Sequence, residues 1–208
     1  MTEDIFGTLP TRQGHFLLES GYHTDFWFTL DALFVVPTDI APLVAALASR
    51  LRPYGVSAVC GPLLGGAFLA HAVASELGVR FYFTQPGTGS ATGLFNAEYR
   101  LPAELHRRVT GERVAVVDDV ISAGSSVRAT IATLAAAGAA TVAVGTFLVL
   151  GSAAIEYFSD YGVPIEALAQ RDFALWEPVA CPLCKAGTLL EDPVHLPMMA
   201  TPIKPTSI

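Results

Sequence analysis

Two adjacent carboxylates, Asp118 and Asp119, stand in the middle of VAVVDDVISAGSSVR, residues 114–128. The β-branched run before them reads as a buried strand. The small residues Ser122-Ala123-Gly124-Ser125-Ser126 read as a turn that opens the next helix. In open parallel sheets, ligands gather at the carboxyl ends of strands. A turn of this kind aims several backbone N–H groups at one point beside a helix N-terminus, where the dipole favours anions. Gly124 permits left-handed or close-approach geometry, and the hydroxyls of Ser122, Ser125 and Ser126 add donors. The turn therefore reads as a phosphate cup. Ionised carboxylates beside it would repel that phosphate and can only accept hydrogen bonds, so their natural partner is a vicinal diol. Pair and cup together suggest a ribose 5-phosphate. The competing reading is a different doubly wound domain whose acidic pair binds a metal.

A second strand-to-helix turn, Cys60-Gly61-Pro62-Leu63-Leu64-Gly65-Gly66-Ala67, again lets backbone approach a ligand with its amides outward. Two such cups on one sheet suit one sugar carrying both a 5-phosphate and a pyrophosphate.

The elements that must hold these groups alternate along the chain. Thr38 reads as the N-cap of a helix over Leu43–Leu51, closed by Pro53 and Gly55. There follow a strand at Val56–Cys60, a helix at Ala67–Leu77 and a strand at Val79–Phe83. Beyond a polar loop, Thr84–Tyr99, come a short helix from Pro102, a strand at Arg113–Val117, a helix at Ser125–Ala137 and a strand at Thr141–Leu150. This alternation predicts an α/β fold with a doubly wound, mainly parallel sheet. A loop as long as Thr84–Tyr99 inside a compact domain reads as a lid.

Composition narrows the functional classes. The 208 residues suit one α/β domain, and 52% hydrophobic against 15% charged residues excludes a disordered chain. Twelve basic against 19 acidic residues, net −7, argues against a nucleic-acid-binding face. The two lysines, Lys185 and Lys204, lie near the C-terminus, which excludes lysine chemistry in the body of the fold. The first ten residues, MTEDIFGTLP, show no secretory signal pattern. The uncharged stretch Ala129–Ile155 is broken by Gly138 and Gly145 and reads as helix then buried strand, not a membrane span. A soluble, cytoplasmic protein is expected.

Three cysteines give no disulfide framework. Cys60 reads as a small core residue, and His71 as a packing residue on an apolar helix. Cys181-Pro182-Leu183-Cys184 has the spacing of a zinc knuckle, for which His195 could add a third ligand and a dimer mate the rest.

VAVVDDVISAGSS resembles the phosphoribosyl-pyrophosphate (PRPP) signature of the type I phosphoribosyltransferases. Gly14-His15-Phe16-Leu17-Leu18-Glu19-Ser20-Gly21 with Phe26-Trp27-Phe28, and GPLLGGAFLA at residues 61–70, are similar to the N-terminal segment and pyrophosphate loop of that family's orotate phosphoribosyltransferase group. The resemblance implies transfer of ribose 5-phosphate from PRPP to a nucleobase-type acceptor, with Mg²⁺ carried mainly by PRPP, in a homodimer. It implies that Asp118 and Asp119 hold the ribose hydroxyls. Ser122, Ala123, Gly124, Ser125 and Ser126 would take the 5-phosphate, and Gly61, Pro62, Leu63, Leu64, Gly65 and Gly66 the pyrophosphate. Trp27 and Phe28 would line the base site from an N-terminal hood, with His23 as a further contact. On this basis residues 1–37, which open on a short helix candidate, form the hood and 38–151 the PRPP-binding core. Residues 152–208 form an extension that ends in an irregular tail.

Three positions depart from the family pattern. Glu19 stands where a lysine is usual, and Gly151-Ser152 where an arginine meets the base carboxylate. The loop Thr84–Tyr99 has no lysine, arginine or histidine, which makes Arg100 the first cation available to the leaving group. A PRPP-binding regulator or sensor without efficient catalysis is the alternative that these departures leave open.

Overall fold

The structure, a computed structural model, describes residues 11–28, 30–87 and 97–193. Its eight strands are β1 (Thr11–Leu17), β2 (His23–Phe28), β3 (Ala58–Pro62), β4 (Arg80–Pro86), β5 (Tyr99–Arg100), β6 (Arg113–Ile121), β7 (Ala140–Leu150) and β8 (Ile165–Arg171). The helices are α1 (Pro37–Leu51), α2 (Gly65–Leu77), α3 (His106–Val109), α4 (Ser125–Ala136), α5 (Ala153–Asp160) and α6 (Pro182–Lys185). Six strands make one sheet in the order β5-β4-β3-β6-β7-β8. Every pairing in it is parallel except β4 with β5. From β3 the chain winds outward to β4, then returns to place β6 on the other side of β3. The direction of winding thus reverses between β3 and β6, where an open α/β sheet leaves a crevice at its strand ends.

Both faces of the sheet are covered, so its strands carry continuous apolar runs instead of alternation. On one face α1 buries Ile40, Leu43, Val44, Leu47, Ala48 and Leu51, a stripe at helical spacing, against α2 and the sheet. On the other face Val127, Ile131 and Leu134 of α4 pack with Ala154 and Phe158 of α5. Leu47 and Leu134 are fully buried in the two cores, and truncating either to alanine is expected to cost about 2–5 kcal/mol.

The local expectations shift in three places. Helix α1 starts at Pro37 with Val36 as its N-cap, so Thr38 lies inside the first turn. Proline at the first helical position has a φ already suited to the helix and lacks only an N–H that would have no partner there. Strand β6 does not stop at Val117, because pairing with β7 continues through Asp118↔Thr146, Val120↔Leu148 and Ile121↔Val149. The sheet also does not end near residue 151: β8, from the C-terminal extension, pairs with β7 from Val144↔Ile165 to Leu150↔Arg171. The uncharged stretch divides between α4 and β7 as read, and among the described residues no helix is long and apolar enough to cross a membrane.

The N-terminal segment forms a hairpin in which β1 and β2 pair antiparallel from Thr11↔Phe28 to Leu17↔His23. The expected helix before it lies outside the described residues. The C-terminal segment is mostly irregular but docked: Leu17 N–H donates to Glu191 O, Glu191 N–H to His15 O, and His23 and Trp176 exchange two backbone bonds, all at 2.8–2.9 Å. An exposed ion pair, Arg12–Glu191 at 2.6 Å, adds to this seam. Hood and tail are one structural unit.

Candidate active site

Asp118 and Asp119 sit at the end of β6, both less than a tenth exposed. Their backbone is fixed by the ladder and by Thr146, whose Oγ1 donates to Asp119 O at 3.1 Å. The Asp119 N–H donates to Asp118 Oδ1 at 3.2 Å, and the Val120 N–H to Asp119 Oδ1 at 2.9 Å. Burial, the neighbouring Asp119 and the charge of Glu19 push the Asp118 carboxyl well above the usual range, against a lowering hydrogen bond from Ser126 Oγ at 2.8 Å. Two acidic side chains are thus held side by side in a buried setting, each making the other harder to ionise.

The turn beyond them is built as a cup. Gly124 adopts φ +77°, a left-handed conformation that a side chain would resist, and from it α4 begins. Among the described residues the N–H groups of 122–127 bond to no carbonyl, the first such bond being Arg128 N–H to Gly124 O at 2.9 Å. The turn and the start of α4 border a cleft of about 440 Å³, lined there by Ser122, Gly124, Ser125 and Ser126. Ala123 is buried behind the turn, and Ser126 spends its hydroxyl on Asp118.

Across the crevice, β3 runs into α2. Pro62, Leu63, Leu64 and Gly65 line the cleft, and the Leu63–Leu64 peptide is cis. Gly61 and Gly66 are not among the described lining residues; a Cβ at Gly61 would meet Gly66 O, and Cβ atoms at Gly65 and Gly66 would meet the carboxyl groups of Asp119 and Asp118. The hood supplies an aromatic wall of Phe26, Trp27 and Phe28, with Phe173 from the tail at 6.4 Å from the Phe28 ring. Glu19 and Tyr99, not assigned a role from sequence, close another side. Tyr99 Oη donates to Glu19 Oε1 at 2.8 Å, and burial followed by Glu19 raises the tyrosine's pKa so that it stays a donor. No lysine, arginine or histidine is among the described residues that line the cleft.

Several expected residues stand elsewhere. His23 is buried, with its ring at 3.0 Å from His15 and 3.3 Å from Cys184 rather than against the cleft. Burial, then His15, holds its pKa below the ordinary value. Arg100 pairs with Glu98 at 3.1 Å, both more than half exposed. Side chains alternate along a strand, so with Tyr99 turned into the cleft, Arg100 and Glu98 must face away. Gln85 and Pro86 pair with Arg100 and Tyr99, which ties the two ends of the expected lid together. Residues 88–96 of that lid, and His195, lie outside the described residues. Cys60 is fully buried in β3, its thiol pushed up to about 12 by burial, as a core residue should be. His71 is exposed, with its edge at 5.3 Å from the Phe81 ring.

A larger hollow, about 810 Å³, follows the outer edge of β8 far from these groups. Its charged members are already engaged: Arg50 donates to Ala167 O, and Glu166 accepts from Tyr54 Oη at 2.5 Å. The cleft at the winding reversal is where convergent polar groups and strained titrations coincide.

The acidic pair and the start of α4 thus meet a glycine-rich turn in one cleft at the switch point, a site class that suits a phosphorylated ligand. The family model of the phosphoribosyl transferase domain matches residues 38–166, and the chain belongs to that family. Within it the chain is similar to orotate phosphoribosyltransferases. It is 33% identical over 191 residues to that of Caldanaerobacter subterraneus, covering 91% of this chain and 94% of the relative. It is 35% identical over 181 residues to that of Thermotoga maritima, covering 87% and 90%. Among solved structures, the fold matches orotate phosphoribosyltransferase from Aeropyrum pernix at TM-score 0.60, with 22% identity over 81% of this chain and 92% of that one. It also matches the adenine enzyme (APRTase) of Giardia lamblia at TM-score 0.64, with 15% identity over 82% and 97%.

Proposed function

We propose that this chain transfers the 5-phosphoribosyl group of PRPP to a pyrimidine base of the orotate type and releases pyrophosphate. The observation that carries this reading is the placement of Asp118 and Asp119 beside a turn whose amides bond to no carbonyl. Each carboxylate can accept from one hydroxyl of the ribose diol while the amides of 122–127 and the α4 N-terminus take the 5-phosphate. When the diol displaces it from Asp118, the Ser126 hydroxyl becomes free to turn to that phosphate. Leu63, Leu64 and Gly65, at the start of α2, then lie where the pyrophosphate would rest. The aromatic hood would stack the acceptor base, and its closeness would bring the base nitrogen to the ribose C1 as the bond to pyrophosphate breaks.

The cleft's charge argues for a metal-bearing substrate. Asp118, Asp119 and Glu19 face it with no lysine or arginine among the described lining residues, so a bare pyrophosphate would meet acidic groups and only uncharged donors, amides and hydroxyls. Their hard oxygen donors fit Mg²⁺ brought in on PRPP, which when bound would neutralise charge growing on the leaving group.

A second copy of the chain is part of the reading. Val35, Val36, Leu64 and Phe68 are exposed, Leu64 at the lining of the cleft, and the Phe34–Phe68 ring contact at 5.8 Å links the two segments in an apolar surface suited to a homodimer. The reaction is assigned to the cytoplasm. The test is pyrophosphate release with Mg²⁺ and PRPP across orotate, uracil, adenine, guanine and hypoxanthine. Release with orotate above the others is expected; release only with purines, or with none, would overturn the reading.

A further inference from the structure

Four side chains remote in sequence meet behind the hood, outside the cleft. His15 comes from β1, His23 from β2, and Cys181 and Cys184 from the turn that opens α6. His15 Nε2 lies 3.0 Å from His23 Nδ1, 3.4 Å from Cys181 Sγ and 3.7 Å from Cys184 Sγ, and Cys184 Sγ lies 3.3 Å from His23 Nδ1. All four ligand atoms fall within 4.8 Å of one another. With Zn–N near 2.0–2.1 Å and Zn–S near 2.3 Å, the vertices of a tetrahedral site stand about 3.3–3.8 Å apart. The observed spacings bracket that range.

The surroundings prepare the same site. His15 Nδ1 is 2.9 Å from Thr188 O, a carbonyl that can only accept, so the ring proton sits on Nδ1 and the Nε2 lone pair turns inward. His15, His23 and Cys181 are nearly or fully buried. Two thiolates would balance the charge of a divalent ion there, and two neutral imidazoles complete a set without an open vertex. A closed set of two nitrogens and two sulfurs is the pattern of structural zinc, not of catalytic zinc.

We propose that His15, His23, Cys181 and Cys184 form a closed zinc site that staples the C-terminal segment to the hood. The expected knuckle at Cys181 and Cys184 is then completed within one chain by His15 and His23, with no need of a dimer mate. The consequence reaches the cleft, because His23 begins the strand that carries Phe26, Trp27 and Phe28 to the acceptor wall. The site is independent of the transferase reading, since zinc content can be measured whether or not any base is turned over.

The test is metal analysis of the full chain purified from zinc-supplemented medium and dialysed against metal-free buffer. One zinc per chain is expected, falling at least tenfold in the Cys181→Ser/Cys184→Ser double variant and unchanged in Cys60→Ala. Should the double variant not fold, cobalt substitution of the wild-type chain reads the same site. Intense tetrahedral d–d bands with thiolate-to-cobalt charge transfer, erased by one equivalent of zinc, support the proposal. Wild-type protein that takes up neither ion, or cobalt with the weak spectrum of an octahedral oxygen site, overturns it and leaves a metal-free hydrogen-bonded quartet.

Discussion

A Cβ atom at Gly65 would lie 2.4 Å from Oδ2 of Asp119, and the next glycine stands in the same relation to Asp118, at 2.6 Å from Oδ1. The start of α2 and the end of β6 therefore fit together only because both residues lack side chains. Gly65→Ala should swing the Asp119 carboxyl away from the diol position. A misplacement of about 1 Å in a binding group is worth on the order of 100-fold, so kcat/KM for PRPP should fall by about that factor while circular dichroism stays unchanged. Wild-type kinetics in Gly65→Ala would show that this carboxylate does not grip the substrate.

Asp118 makes stability and function pull in opposite directions. Its folded pKa is raised, so between the ordinary aspartate value and the folded one the native state holds a proton that the unfolded state has released. Stability then falls as pH rises through that window. Asp118→Asn removes the strain and should stabilise the unliganded protein at neutral pH by about 1 kcal/mol, an advantage that disappears toward pH 3–4 where the unfolded carboxyl also protonates. The same variant should weaken PRPP binding at least tenfold. Thermal melts across pH with PRPP calorimetry check both arms, and a destabilised variant at pH 7 would contradict the assigned strain.

Magnesium removal should be severe. With three carboxylates facing the cleft and no basic side chain among its described lining, PRPP in excess EDTA should bind at least 100-fold more weakly than with Mg²⁺. Equal affinities by calorimetry would mean that the amides alone hold the pyrophosphate.

Trp27→Ala should separate the two substrates. Loss of one stacking surface is worth about 1 kcal/mol or more, so the KM for the base should rise roughly five- to tenfold while that for PRPP stays within twofold. A rise in the PRPP value instead would move the hood off the acceptor.

Arg100→Ala should change kcat less than about threefold and stability by under 1 kcal/mol, because an exposed ion pair contributes little. A large loss of kcat with unchanged melting would return Arg100 to the leaving group.

What the sequence disclosed was local. Asp118, Asp119 and the turn after them lie within nine residues, and strand, helix start and glycine conformation are properties of that short stretch. Contacts between distant segments were not legible. The length of β6 beyond Val117 comes from its ladder with β7, and the sixth strand from a segment with weak local signal, Ile165–Arg171. His23 stands in an aromatic run that suggests a ligand contact, yet pairing with Trp176 places it beside Cys184. Glu19 and Tyr99 carry no motif, and only the fold brings them together. Arg100 followed from what the loop lacks, while its direction was decided by strand alternation.

The seam between hood and tail also governs the order in which a nascent chain can mature. In an elongating chain β1 and β2 are made well before their backbone partners, Trp176 and Glu191, more than 140 residues later in the sequence. The six-stranded sheet, with the turn after β6 that borders the cleft, can assemble once β8 has emerged, while the hairpin wall still lacks its support. Translation would thus deliver a half-built pocket before a whole one. Through that interval Phe16, completely enclosed in the finished protein, still lacks Glu191, its bridge partner from the C-terminal segment.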